Sequence, residues 1–239
     1  MKLLKLAGAA LALCTCTQAA AVGSLAEVTV FDRSGGRPLP VYWHQGRAYV
    51  VGKPGNEYRI ALRNRQGEDL LAVMSVDGVN VITGETAHPR QSGYVLGPRG
   101  RLEVTGWRKS LARTAAFYFT ELGDSYAART GRPENVGVIG VALFRRKPEP
   151  PQPFSGIAPA PRAEAHSRRE AADASAPLGT GHGRIETSYA RRVEFERATE
   201  TPAETMVIRY DSYRNLVALG VIRESPRQPQ PFPGFVPDA

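Results

Sequence analysis

Short stretches of alternating apolar and polar residues recur between Leu25 and Arg146, and no other feature constrains the fold of this chain as strongly. Successive side chains of a β-strand point to opposite faces, so such alternation predicts strands with one buried face. The clearest example is residues 57–64, where the apolar residues on one face are Tyr58, Ile60 and Leu62. This part of the chain therefore predicts a domain that is mainly β.

An almost wholly apolar stretch, Leu70 to Val76, predicts a central strand that is buried on both faces. The Asp77-Gly78 pair after it is typical of a tight hairpin turn, and Val79 to Ile82 is expected to return beside the first strand. Further strands are predicted at residues 101–105, 115–120 and 136–144. Turn residues separate these stretches at short intervals, so residues 24–146 are expected to form eight or nine short strands in a β-sandwich or jelly-roll-like domain.

One short helix is expected inside this domain, at residues 125–130. Asp124 is a favourable N-cap for it, and Gly131 is a favourable residue just after its end. Gly137 and Gly140, in the last strand, indicate a β-bulge or a close approach between backbones.

The composition changes at Lys147, where Pro, Ala and charged residues replace large apolar ones. Residues 147–178 therefore predict a disordered linker, stiffened where prolines cluster. Residues 224–239 are again rich in proline and predict a disordered tail.

Between the linker and the tail, residues 179–223 predict a small unit of three strands, at 184–196, 205–210 and 216–222, with Tyr213 to Asn215 as the last turn. The GTGHGR run at 179–184 is interpreted as a flexible hinge, because no helix follows it to make a phosphate-binding loop. Some forty residues without disulfide or metal are marginal as an independent domain. The unit is therefore expected to dock on the first domain or on a partner.

The first residues have the order of a secretory signal peptide, predicted to span residues 1–21. Lys2 and Lys5 precede an apolar run that is too short to span a bilayer, which takes roughly 20 residues. Both cysteines, Cys14 and Cys16, lie in this segment, and neither follows the small residue that a lipoprotein signal usually needs. We expect a periplasmic or secreted mature protein without cysteine and without a transmembrane span.

Six segments form a recognisable combination: SVDGVNVITGE (75–85), GYVL (93–96), GWRKS (106–110), DSYAARTGRPENVGVIGVALF (124–144), GTGHGR (179–184) and RYDSYRNLVALGVI (209–222). This combination resembles an uncharacterised family of exported proteins from Gram-negative bacteria. The resemblance covers most of the first domain and parts of the segment after the linker. It implies a similar organisation and a place in the cell envelope, and it implies no activity, cofactor or catalytic residue.

The chain carries a formal net charge of +8, of which the signal peptide would remove two charges. A mildly basic exported protein suits contact with anionic surfaces such as envelope phosphates. Nucleic acid is not an expected partner, because the sequence lacks a basic stripe with interleaved aromatic residues. The expected partner is another envelope protein or an anionic envelope polymer.

No motif for metal binding or catalysis stands out, and no cofactor, metal site or catalytic residue is predicted. The four histidines, His44, His88, His166 and His182, lack the spacing of zinc ligands. Asp77 and Asn80 are interpreted as turn residues rather than calcium ligands. Carboxylates for glycoside hydrolysis would have to come from a set that the sequence does not pair: Asp77, Glu85, Glu103, Glu121 and Asp124.

Two segments place an aromatic residue beside cations, and these six residues are the predicted binding site: Trp107, Arg108 and Lys109, then Tyr126, Arg129 and Arg132. Aromatic residues and arginine are frequent at binding hot spots and suit sugars or anionic polymers. The competing interpretation places Trp107 and Tyr126 in the core, with the cations solvated. Together these features predict an exported non-enzymatic binding module of the envelope; the alternative is a hydrolytic enzyme that acts on envelope glycans.

Overall fold

The computed structural model describes residues 21–148 and 178–223. The strands in these two ranges are β1 (Ala26–Asp32), β2 (Tyr42–His44), β3 (Arg47–Gly52), β4 (Glu57–Asn64), β5 (Leu70–Val76), β6 (Val79–Asn80), β7 (Tyr94–Leu96), β8 (Arg101–Val104), β9 (Gly106–Arg108), β10 (Arg113–Glu121), β11 (Val138–Arg145), β12 (Leu178–Thr187) and β13 (Glu204–Ser212). Two short α-helices, α1 (Tyr126–Arg129) and α2 (Tyr213–Ala218), and a 3-10 turn at Pro133–Asn135 complete the described elements.

These strands form two sheets. The first has the order β1–β4–β10–β12, with β8 beside β4 and β9 beside β10. The second has the order β2–β3–β13–β11–β5–β6, with β7 beside β5. Neighbouring strands in the described ranges are antiparallel except β3 and β13, which run parallel.

Apolar side chains from both sheets pack into one core between them. Tyr58 of β4, for example, stacks on Phe119 of β10 at 4.3 Å between ring centroids and meets Tyr210 of β13 at 6.4 Å. The sequence prediction of a mainly β protein with a sandwich of two sheets is therefore confirmed. No helix in the described residues is long and apolar enough to cross a membrane.

The strands with the clearest sequence patterns are confirmed. In β4 the predicted inward residues, Tyr58, Ile60 and Leu62, are buried. In β5 the even-numbered residues face the main core, while Leu71 and Val73 pack with Phe144 on the outer face of the second sheet. A strand with two buried faces has few polar positions, which is why its sequence is almost wholly apolar.

The turn and helix signals of the first domain are confirmed with one shift of a residue. Asp77 (φ 51°) and Gly78 (φ 72°) make the hairpin turn between β5 and β6. The N-cap of α1 is Ser125 rather than Asp124, because the Ser125 hydroxyl accepts the backbone N–H of Ala128. Gly131 follows the helix with φ 74°, as its sequence position predicted.

The segment after the linker differs most from expectation. Its strands do not form a separate unit: β12 pairs with β10 in the first sheet, and β13 lies between β3 and β11 in the second. The predicted strand at 216–222 is wrong, because α2 occupies Tyr213–Ala218, capped by the Ser212 hydroxyl. The predicted strand at 184–196 ends at Thr187, after which Phe195 packs on the outer face of the second sheet.

The hinge prediction for GTGHGR is also wrong, because these residues belong to β12. Their glycines provide room for packing instead. A Cβ on Gly181 would lie 2.2 Å from the Tyr118 ring, and a Cβ on Gly179 would lie 2.4 Å from Cβ of Ser125. Real Cβ atoms do not approach so closely, so only glycine fits here without a shift.

Three predictions fall largely outside the described residues and stay predictions. They are the signal peptide with Cys14 and Cys16, the body of the linker at 149–177, and the tail at 224–239.

Candidate functional site around Tyr126

The two predicted binding segments meet at the ring of Tyr126, the first residue of α1. The Trp107 ring lies 4.9 Å from it between centroids, and the Lys109 Nζ lies 5.5 Å from its centroid. His182 of β12 adds a third neighbour at 5.5 Å. We refer to Trp107, Lys109, Tyr126 and His182 as the Tyr126 cluster.

Trp107 is the buried floor of this cluster, with only 2% of its surface exposed. Its Nε1 donates to the backbone oxygen of Gly181 at 3.3 Å, and its ring meets the Phe117 ring edge-on at 5.2 Å. The competing interpretation of the sequence, a core tryptophan, therefore describes its position. Trp107 fixes the place of Tyr126 from beneath and leaves contact with solvent to the other members.

Lys109 is partly buried against Tyr126, and this burial lowers the pKa of its ammonium group. It forms no ion pair within the described residues. The Tyr126 hydroxyl likewise has no hydrogen-bond partner in residues 21–148 and 178–223. Within the described residues, a cation without an ion pair and a hydroxyl without a hydrogen bond thus lie near each other at the edge of the aromatic cluster.

Two further predicted site residues, Arg129 and Arg132, lie at the end of α1 and just after it. Arg132 N–H donates to Ala127 O and Gly131 N–H to Ala128 O, which closes the end of α1. The Arg132 guanidinium then donates to Gly84 O from both Nη atoms at 3.1 Å. Arg129 is partly exposed on α1, three residues after Tyr126, and has no ion pair in the described part of the chain.

Arg108 is directed away from Tyr126, although its neighbours in sequence belong to the cluster. Its guanidinium donates to the backbone oxygen and the hydroxyl of Ser188, to Ser110 O and to the Tyr94 hydroxyl. Those bonds hold the chain after β12 against the end of β9. The structure therefore separates Arg108 from the other predicted site residues.

A second polar group, buried beneath the surface, connects the two sheets. The Asp77 carboxylate accepts three hydrogen bonds: from Gly137 N–H (2.9 Å), from Thr180 N–H (2.7 Å) and from the Tyr210 hydroxyl (2.5 Å). Since Tyr210 donates its only proton to Asp77, the Thr180 hydroxyl donates to Tyr210, and the Tyr58 hydroxyl donates to Thr180, each at 2.6 Å. Asp77, Thr180 and Tyr58 are fully buried, and Tyr210 is 2% exposed.

Burial is the main influence on this network. It raises the pKa of Asp77 to about 6, against the opposing effect of the Tyr210, Thr180 and Gly137 hydrogen bonds. Burial and the Asp77 charge also raise the pKa values of Tyr58 and Tyr210. Sequence reasoning interpreted Asp77 as a turn residue and listed it among carboxylates that it could not pair, but it did not predict this network. The available signal was that Asp77, Gly137, Thr180 and Tyr210 each lie in a segment that carries the family resemblance.

Three of the five candidate acids for a glycoside hydrolase are buried or bonded to other side chains. Asp77 has no exposed surface. Glu103 forms an ion pair with Arg59 at 3.1 Å, and Glu85 accepts a hydrogen bond from Gln91. Within the described ranges, no three His, Cys, Asp or Glu side chains gather to hold a metal ion.

No family model, curated protein or solved structure matches this chain. The resemblance to the exported family therefore stays a prediction.

Proposed function

We propose that this protein is an exported, non-enzymatic binding module of the bacterial envelope that holds an anionic group of an envelope polymer at the Tyr126 cluster. The observation that carries the proposal is Lys109, a partly buried cation without a counter-charge in the described residues. Periplasmic or secreted localisation rests on the predicted signal peptide and on the family resemblance.

A phosphate or carboxylate beside Lys109 would offset the cost of its burial. The charge-assisted hydrogen bond formed would be stronger than one between neutral groups. The neighbouring Tyr126 hydroxyl can donate to the same anion, and Arg129 at the end of α1 and Arg132 just after it add positive charge. The tyrosine face also suits packing against a sugar ring of such a polymer.

The test uses two purified envelope polymers, lipopolysaccharide and peptidoglycan sacculi, titrated against the full mature chain at low salt. Lys109→Met removes the charge but keeps the chain length, and Tyr126→Phe removes only the hydroxyl. Since a hydrogen bond to a charged group contributes about 1.5–3 kcal/mol, we expect Lys109→Met to weaken binding by about tenfold or more. Tyr126→Phe should weaken it less.

Lys53 supplies the matched control, because it is exposed in the turn between β3 and β4 and belongs to neither predicted binding segment. Lys53→Met makes the same change in net charge and should leave the affinity within about twofold of wild type. Equal losses in the two lysine variants would mean that binding depends on net charge alone, and the proposed site would be rejected. Failure of both polymers to bind the wild-type chain would also reject it.

A further inference from the structure

The second sheet contains a gap in its middle, beside the first half of β13. Strand β3 pairs with β13 only from Ile208, opposite Ala48, onward. Just before this point in the chain, a turn at Gln45 and Gly46, both with positive φ, connects β2 to β3. Residues Glu204–Val207 of β13 therefore pair with β11 on one side and have no strand of the described sheet on the other. We call this gap the β13 notch.

The backbone of β13 directs hydrogen-bonding groups into the notch. Tyr210 N–H donates to Gly137 O, on the β11 side of the strand. Backbone groups of successive strand residues alternate in direction, so Thr205 directs both of its groups and Val207 its N–H to the opposite side, into the notch, while the Val207 carbonyl faces the start of β3 at Ala48. An unpaired strand edge of this kind is a template for pairing with another chain.

The side chains around the notch form an open groove of about 390 Å³. Its apolar wall includes Trp43, 56% exposed, and Val207, 37% exposed. Arg47 and Arg209 lie at its rim, and neither has an ion pair within residues 21–148 and 178–223. The one carboxylate in the lining, that of Glu204, is already engaged, because it accepts hydrogen bonds from the Ser24 hydroxyl and from the N–H groups of Ser24 and Leu25.

We infer that the β13 notch binds an extended acidic segment of a partner protein, which adds a short strand beside Thr205 and Val207. Main-chain hydrogen bonds supply affinity in this mode, and pockets for alternate side chains supply specificity. Here Trp43 and Val207 receive an apolar side chain, and Arg47 and Arg209 pair with acidic ones. This inference is independent of the proposed polymer site.

Two other occupants fit less well. A second copy of this chain would bring a second pair of uncompensated arginines to the same place, and the like charges would repel each other. The chain's own residues 224–239 contain five prolines, which lack the N–H that a strand needs for pairing. An acidic segment of a partner protein carries charges opposite to those of Arg47 and Arg209, and it can supply the backbone N–H groups that strand pairing needs.

The experiment selects random peptides of about ten residues, long enough for one strand, from a display library on the full mature chain. We expect the enriched peptides to be acidic, to alternate with apolar residues and to lack proline at the paired positions. Their binding should fall about tenfold or more in the double variant Arg47→Glu/Arg209→Glu, and also in Trp43→Ala. Arg214→Glu, an exposed position on α2, is the control and should bind normally.

N-methylation of the peptide tests the strand itself. Methyl groups on the alternate amides that face β13 should abolish binding, and methyl groups on the intervening amides should leave it intact. Enrichment of proline-rich or basic peptides, or equal binding to Trp43→Ala and wild type, would overturn the inference. So would a selection that yields no binding peptide, or affinity that is insensitive to both methylation patterns.

Discussion

At the scale of single residues, Asp77 is the only Asp, Glu, Lys or Arg that is buried among the described residues. Three hydrogen bonds favour its ionised form, yet removal from water outweighs them and raises its pKa from 3.8 to about 6. Between these two values the folded state holds a proton that the unfolded state has lost. The contribution of Asp77 to stability is therefore full below about pH 4 and is lost as the pH rises through about 6, a difference of about 3 kcal/mol.

Asp77→Asn should abolish this pH dependence, since a carboxamide does not titrate. Its oxygen can still accept from Gly137 and Tyr210, whereas its NH₂ group faces the Thr180 N–H and loses that bond. The measurement is the free energy of unfolding in urea from about pH 4 to pH 8 for both proteins. Relative to the variant, wild type should lose about 3 kcal/mol over this range. Parallel stability curves would show that Asp77 titrates alike in the folded and unfolded states.

Residue contacts of this kind were beyond sequence reasoning for a physical reason. The Asp77-Gly78 turn is a local property of two residues, and it was predicted. The partners of the Asp77 carboxylate lie 60, 103 and 133 residues away, so they depend on how the two sheets pack. The site shows the same division: the aromatic and cationic motifs were recognised, and a core position for Trp107 was one of the two interpretations, but the different direction of Arg108 was not predicted.

At the scale of elements, side-chain alternation and turn residues predicted six strands of the first domain, namely β4, β5, β6, β8, β10 and β11, and after the linker the strand at 205–210, which is β13. The prediction failed at residues 216–222. Leu216 to Ile222 is apolar enough for a strand, but the Ser212 cap and Gly220 with φ 70° make a short helix that buries Leu216. A run of glycines indicated a hinge because glycine favours flexibility in isolation. In β12, Ser125 packs on Gly179 and the Tyr118 ring packs on Gly181, so these glycines are held in place.

Gly179→Ala distinguishes a packing glycine from a hinge glycine. Its new Cβ would lie 2.4 Å from Cβ of Ser125 and 2.7 Å from the Val136 side chain, so β12 and α1 must separate. Overpacking of this kind typically costs about 1–3 kcal/mol. Gly67→Ala, where no atom lies within 4 Å of the added Cβ, is the control and should change stability by less than about 0.5 kcal/mol. Thermal unfolding of both variants decides; equal, small effects would favour a hinge.

At the scale of the whole molecule, the two ends of the described chain are parts of one fold. Strand β13 lies between β3 and β11 and is the only link between them in the second sheet as described. Thr180 of β12 and Tyr210 of β13 complete the buried network at Asp77. Docking of the C-terminal segment was one of the two expectations from sequence. The sequence did not predict that β12 and β13 become strands of the two sheets. Pairing between strands far apart in the chain, such as β3 and β13, leaves no local sequence pattern.

This arrangement predicts that residues 22–148 do not fold alone. Without β13, strands β3 and β11 lose their common neighbour, and without β12 the backbone edge of β10 loses its pairing partner. A truncated chain ending at Pro148 should show no cooperative urea transition, and adding a separate polypeptide of residues 178–223 should restore one. The control is the full chain cut by a protease within residues 149–177, which keeps every described strand and should unfold cooperatively. Cooperative unfolding of residues 22–148 by themselves would instead mean that the first domain is independent and that β12 and β13 are additions to it.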